Sequence, residues 1–95
     1  MNKIDEIGRV LIPKKVREPL GWEKGNALEI LTNAGEKSLT VTLANNNSEN
    51  KYALDDLSRI QIPSEILKLL GWECRSTVKH IVNEADNSIT MIIAA

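Results

Sequence analysis

Lys14, Lys15 and Arg17, three basic residues in four, follow a short loop that holds Asp5, Gly8 and Arg9, with Lys3 just ahead of it. Cationic side chains at this density do one kind of chemistry well. They neutralise phosphate oxygens, and arginine adds a planar fork that fits phosphates or guanine edges. Asp5 and Arg9 flank a three-residue gap and can face each other across it, while Gly8 supplies a backbone conformation few residues reach cheaply. Two readings of the pair stand open: Asp5 fixes Arg9 at a set angle for a ligand, or the two form an ion pair that only clamps the loop. The lysines likewise read as a solvated helix face or as phosphate contacts. The chain carries a net charge of −1, so it has no general attraction for a polyanion and any such contact must be local.

Other chemistries lack their residues. His80 and Cys74 are the soft metal ligands, and a zinc site needs about four. No Ser/His/Asp or Cys/His arrangement with an orienting group is present, and no glycine-rich phosphate loop. The sequence therefore predicts no catalytic residue, no metal, no cofactor and no small-molecule substrate, and the chain is expected not to be an enzyme. His80 occupies the place of Ile30 in an alternating stretch, which predicts a half-buried structural histidine. Trp22 and Trp72 are expected to plug the core.

These residues are positioned by a duplicated chain. Residues 4–23 lie over 54–73 without a gap, and eight of the twenty positions are identical: Asp5/Asp55, Arg9/Arg59, Ile12/Ile62, Pro13/Pro63 and the four of LGWE. The copies run over 1–44 and 52–95, joined by a polar linker at 45–51. Within the first, RVLI (9–12) predicts a short strand and Pro13 a helix start. Val16 and Leu20 share one helical stripe and Gly21 stops the helix. Pro19 removes a helical hydrogen bond, so the last turn is expected to be irregular. ALEILT (27–32) and SLTVTL (38–43) alternate as half-buried strands do, with NAGEK as the turn. TVKHIV (77–82), EADN and SITMII (88–93) repeat the pattern. A unit of about 43 residues cannot bury enough surface to fold alone, so the two copies must share a core.

The stretch D-E-I-G-R-V-L-I-P-K-K-V-R-E-P-L-G resembles the DNA-binding domain of the AbrB/SpoVT/MazE superfamily. The second copy keeps D-x-x-x-R, I-P and L-G-W but has Ser58 in place of Gly8. The tandem arrangement is also similar to MraZ-type proteins, which are longer. The resemblance implies a mainly β fold with two short helices, a swapped-hairpin β-barrel of two interleaved ββαββ-type repeats. It leaves open whether the barrel forms within one chain or between two. It also implies a transcriptional regulator that touches double-stranded DNA through Arg9 and Arg17, with Lys3, Lys14 and Lys15 as phosphate contacts. Asp5, Gly8, Asp55 and Arg59 are then loop-building residues.

The copies differ in charge. PKKVREPL carries Lys14, Lys15 and Arg17 against Glu18, a net of +2, whereas PSEILKLL sets Lys68 against Glu65, a net of zero. The first copy is expected to read DNA and the second to complement it structurally. Leu67 and Leu69 add apolar surface to the second helix, which predicts deeper burial or self-association as a homodimer. The alternative is an antitoxin-type or protein–protein interaction module of the same fold; such relatives carry a further C-terminal segment, and this chain stops at Ala95. No stretch approaches the ~20 apolar residues of a membrane span. Together with the single cysteine and the absence of an apolar leader, this predicts a cytoplasmic protein. Asn46-Asn47-Ser48 fits a glycosylation acceptor by pattern, which is expected to be chance.

Overall fold

The structure is a computed structural model that describes residues 2–45, 48 and 50–94. Two positions of the Asn46-Asn47-Ser48 pattern lie outside the described residues. Among the described residues the chain forms eight strands and two short helices, in the order β1 (Asn2–Lys3), β2 (Arg9–Leu11), α1 (Lys14–Arg17), β3 (Ala27–Asn33), β4 (Ser38–Leu43), β5 (Tyr52–Ala53), β6 (Arg59–Gln61), α2 (Ser64–Leu70), β7 (Thr77–Asn83) and β8 (Ser88–Ile93). The fold is mainly β. No helix is long and apolar enough to cross a membrane.

Strand pairing interleaves the copies within this one chain. β3–β4 and β7–β8 are the expected hairpins, and they join side by side through β4 and β8. β1 of the first copy pairs with β7 of the second, and β5 of the second pairs with β3 of the first. β2 and β6 form a separate antiparallel ribbon in which Val10 faces Ile60. Thr40 faces Thr90 in the large sheet, their Oγ1 atoms 3.2 Å apart. Both facing pairs join equivalent positions of the two copies, so a pseudo-two-fold axis runs through them.

The core is drawn from both copies because the pairing is. Val10, Ile12, Ile60 and Ile62 from the ribbon meet Leu28, Leu39, Val41, Ile89 and Met91 from the sheet, all essentially inaccessible. The tryptophans are core residues, Trp22 at 2% and Trp72 at 5% exposure. Trp72 Nε1 donates to the Lys37 carbonyl at 3.2 Å, in the hairpin turn of the other copy. Trp22 Nε1 is buried without a partner among the described residues.

One expectation is corrected. The strands do not close into a barrel: the six-stranded sheet runs β1-β7-β8-β4-β3-β5 and ends at two free edges, with the ribbon apart from it. The reason is local. β1 and β5 are two residues long. Past β1, Ile4 still exchanges backbone hydrogen bonds with Ser76 and Arg75, but the link to the ribbon narrows to one bond at each loop, Asp5 N to the Arg9 carbonyl and Asp55 N to the Arg59 carbonyl.

The helices follow the sequence closely. Pro19 ends α1 after Arg17, and Glu18–Leu20 continue as a 3-10 turn. Copy two, with Leu69 there, keeps one α-helix through Leu70. Pro13 is the residue before the helix rather than its first, because its ψ of 153° is still the extended backbone leaving β2.

Candidate nucleic-acid interface

Each loop between the short strands is built on its aspartate. Asp5 Oδ1 accepts the backbone N–H groups of Ile7 (3.1 Å) and Arg9 (2.7 Å), and Asp5 Oδ2 accepts Arg9 Nε at 2.6 Å. Asp55 repeats this with Leu57 (2.9 Å), Arg59 N (2.8 Å) and Arg59 Nε (2.8 Å). Partial burial would raise the Asp5 carboxyl. The Arg9 N–H, the Arg9 guanidinium and the Ile7 N–H outweigh it and hold the group below the ordinary aspartate value. At Asp55, burial is likewise outweighed by the N–H groups of Arg59 and Leu57 and by the Arg59 guanidinium.

The clamp reading is thus a feature of the structure, at both loops. It leaves room for a ligand as well. The bond from each arginine runs through Nε, and no hydrogen bond from an Nη atom of Arg9 or Arg59 is found among the described residues. The arginines are 31% and 25% exposed.

The ribbon brings both arginines to one face. Alternation along β2 and β6 turns Val10 and Ile60 inward and leaves Arg9, Leu11, Arg59 and Gln61 on the other side. Arg9 lies opposite Gln61 and Leu11 opposite Arg59, so the arginines are diagonal neighbours, roughly 7–8 Å apart. Gln61 Nε2 also donates to the Ile7 carbonyl, tying the first loop to the ribbon.

The remaining basic residues divide between the two ends. The Gly8 carbonyl accepts Ile62 N at 2.9 Å, and the Ser58 carbonyl accepts Ile12 N at 2.9 Å. The first loop therefore abuts the start of α2, and the second loop the start of α1. Lys3 and Arg9 stand at one end; Lys14, Lys15 and Arg17 stand at the other, beyond the Arg59 loop. Lys15 is exposed and without a partner among the described residues, whereas Lys14 sits 3.6 Å from Glu18. Arg17 is half-buried, its Nε donating to the Ile12 carbonyl at 2.9 Å, which makes it a brace for the helix start.

Arg75 is the residue that sequence reading missed. Its backbone N donates to the Ile4 carbonyl at 2.7 Å, and with Lys3, Asp5 and Arg9 it lines a cleft of about 450 Å³ beside the first loop. The pairing of β1 with β7 puts it there, and pairing between copies is not written in a repeat's spacing. His80 is half-buried as expected, with Nε2 buried and unpartnered among the described residues; burial pushes its pKa below the ordinary histidine value.

The fold and site define a pseudo-two-fold, mainly β protein with a pair of clamped arginines on one ribbon. No protein-family model matches the chain, and no curated protein matches it. Among solved structures it is similar to the solution structure of PHS018 from Pyrococcus horikoshii, at 17% identity and a TM-score of 0.53, over 98% of this chain and 84% of that one. At that identity the likeness shows the fold alone.

Proposed function

We propose that this protein is an AbrB-like DNA-binding transcriptional regulator that meets double-stranded DNA through the ribbon face. The observation that carries the reading is the arrangement of Arg9 and Arg59, diagonal across the ribbon and held at Nε by their own aspartates. A pair of arginines related by a pseudo-dyad suits a duplex, whose two backbones are themselves related by a dyad. The resemblance of the loop and helix motif to the AbrB/SpoVT/MazE superfamily supports the same reading. Lys3 at one end and Lys14 and Lys15 at the other extend the contact to phosphates, and Arg17 acts there mainly by shaping the helix start. In this arrangement Arg59 joins Arg9 as a contact instead of serving the fold alone. Leu69, 56% exposed on α2, is the place for self-association of two chains.

The test is a titration of duplex DNA at several salt concentrations. Each phosphate neutralised adds about −0.9 to the slope of log K against log salt, and a face with the five cations Lys3, Arg9, Lys14, Lys15 and Arg59 gives roughly −3 to −5. Lys15→Gln should flatten the slope by about one phosphate with an unchanged fold, since the exposed Lys15 side chain makes no hydrogen bond or ion pair among the described residues. Absence of binding to any duplex at low salt would end this reading.

A second reading has its own observation. Ile7 and Leu57, at the tips of the two loops, are 58% and 62% exposed, and Leu11 between the arginines is 41% exposed. Apolar tips beside arginines also suit a protein partner, as in an antitoxin-type module. Failure to bind DNA together with stoichiometric capture of one protein through Ile7 and Leu57 would favour it.

A further inference from the structure

We infer that Arg75 makes the cleft over the first loop a phosphate-binding site, taking one backbone phosphate of duplex DNA between itself, Lys3 and Arg9. The inference deepens the DNA-binding reading and rests on it. Arg75 stands where the first copy has Gly25, and its φ of +72° lies in the left-handed region that L side chains adopt reluctantly. Gly25, at φ +86°, makes the same turn with no side chain at all. Packing does not account for the arginine. It is 80% exposed, and its ion-pair partner, Glu6 at 3.6 Å, is 82% exposed, a kind of pair that contributes little. The backbone hydrogen bonds of this turn, Arg75 N to the Ile4 carbonyl and Ser76 N to the Glu73 carbonyl, need no particular side chain, so an arginine rather than a glycine in this unfavoured conformation points to function.

The neighbours say what that function is. Arg75 is tied at its backbone to Ile4, the residue between Lys3 and the loop, so its side chain starts at the rim of the cleft that Lys3 and Arg9 line. Lys3 is exposed and has no partner among the described residues. Arg9 engages Asp5 through Nε and makes no hydrogen bond with its Nη atoms among the described residues. Asp5 is balanced by Arg9, and Glu6 by Arg75, which leaves the ammonium of Lys3 and the outer edges of two guanidinium groups around one opening. Cations so grouped recognise a phosphate.

The second loop supplies the internal control. Its equivalent positions hold Ala53, Gly25 and Arg59, and the nearby Lys24 is taken up by Asp56 at 2.7 Å. The pseudo-symmetric fold thus offers two equivalent openings, and the sequence charges one of them.

The experiment compares wild type with Arg75→Gly and Arg75→Lys. Arg75→Gly reproduces what Gly25 already does in the first copy, so its Tm should equal or exceed that of wild type. Its affinity for duplex DNA should fall about five-fold at 0.15 M salt, with the salt slope flattened by about 0.9, the loss of one phosphate contact. Arg75→Lys should keep most of the slope. A second arm follows backbone amide shifts of residues 3–9 and 75 during titration with inorganic phosphate, expected to move in wild type and not in Arg75→Gly. If wild type binds DNA and Arg75→Gly binds it equally well with the same slope, the inference fails and the DNA reading stands. A lowered Tm in Arg75→Gly makes Arg75 a structural residue and also counts against the inference. If no duplex binds, the DNA reading falls. Phosphate shifts lost in Arg75→Gly would then keep the site with a free phosphate ester as its ligand, and their absence in wild type would remove the site too.

Discussion

The two copies follow one backbone plan and part company most where a side chain meets solvent. Gly8 corresponds to Ser58, Gly25 to Arg75, Ile30 to His80, and the broken helix Lys14–Leu20 to the continuous α2. Several positions are kept in both copies: Asp and Arg of each loop, the apolar Val10 and Ile60 that pair on the ribbon, Thr40 with Thr90, and the buried tryptophans. A duplicated chain that interleaves must keep its pairing surface matched to itself, because each copy is the other's core. Freedom to differ is greatest at the rims. A consequence is that halves of the sequence are not halves of the surface. The first loop belongs with α2 and Arg75, and the basic α1 belongs with the second loop.

The largest expected effect removes one side of the comparison. A fragment of residues 1–47 leaves β1 without β7, β2 without β6 and β4 without β8. It should be unfolded as a monomer, or fold as a dimer in which a second fragment supplies the missing strands. Circular dichroism with sedimentation reads both outcomes. A monomeric fragment with a cooperative melt would show that one copy owns a sufficient core.

A smaller effect comes from exchanging the loop residues. Gly8 has φ +84°, and a Cβ there would lie 3.0 Å from the Ile62 carbonyl oxygen and 3.3 Å from Leu67 Cδ1. Ser58 already carries a side chain at φ +61°, beside Ile12, with Arg17 in the place of Leu67. Gly8→Ser should therefore destabilise by about 2 kcal/mol or more, and Ser58→Gly should stabilise by up to about 1 kcal/mol. Urea denaturation of both variants reads the difference. Equal and small effects would mean that the two loops are interchangeable and that Leu67 does not press on the first.

Much of this architecture was legible from particular residues. The ungapped repeat announced a shared core, alternation located all four long strands within a residue of their observed ends, and Pro19 foretold the break after α1. Spacing allows Asp5 and Arg9 to face each other across their loop, as they do, but spacing does not choose between clamp and contact. What escaped was set by tertiary pairing. β1 and β5 are too short to carry a periodic signal, yet the pairing of β1 with β7 puts Arg75 beside the first loop. Arg75 and the open edges of the sheet follow from that pairing, and neither leaves a local pattern.

The smallest effect concerns a half-buried strand position where the copies differ, Ile30 against His80. The imidazole Nε2 is buried without a partner among the described residues, and an unsatisfied polar atom in an apolar site costs about 1–3 kcal/mol. Burial lowers the folded-state pKa from the ordinary 6.5. At pH 8 the histidine is neutral whether the chain is folded or not, so this group adds no pH dependence. As pH falls through 6.5 the unfolded chain takes up a proton that the native state resists, and stability declines until the depressed native pKa is reached. His80→Ile, which copies the first repeat, should raise stability by about 1 kcal/mol at pH 8 and by more at pH 5, because it also removes that titration. Urea denaturation at the two pH values measures both terms. A gain that is the same at pH 5 and pH 8 would mean that the imidazole protonates as readily in the native protein as in the unfolded chain, and that the two copies tolerate this position alike.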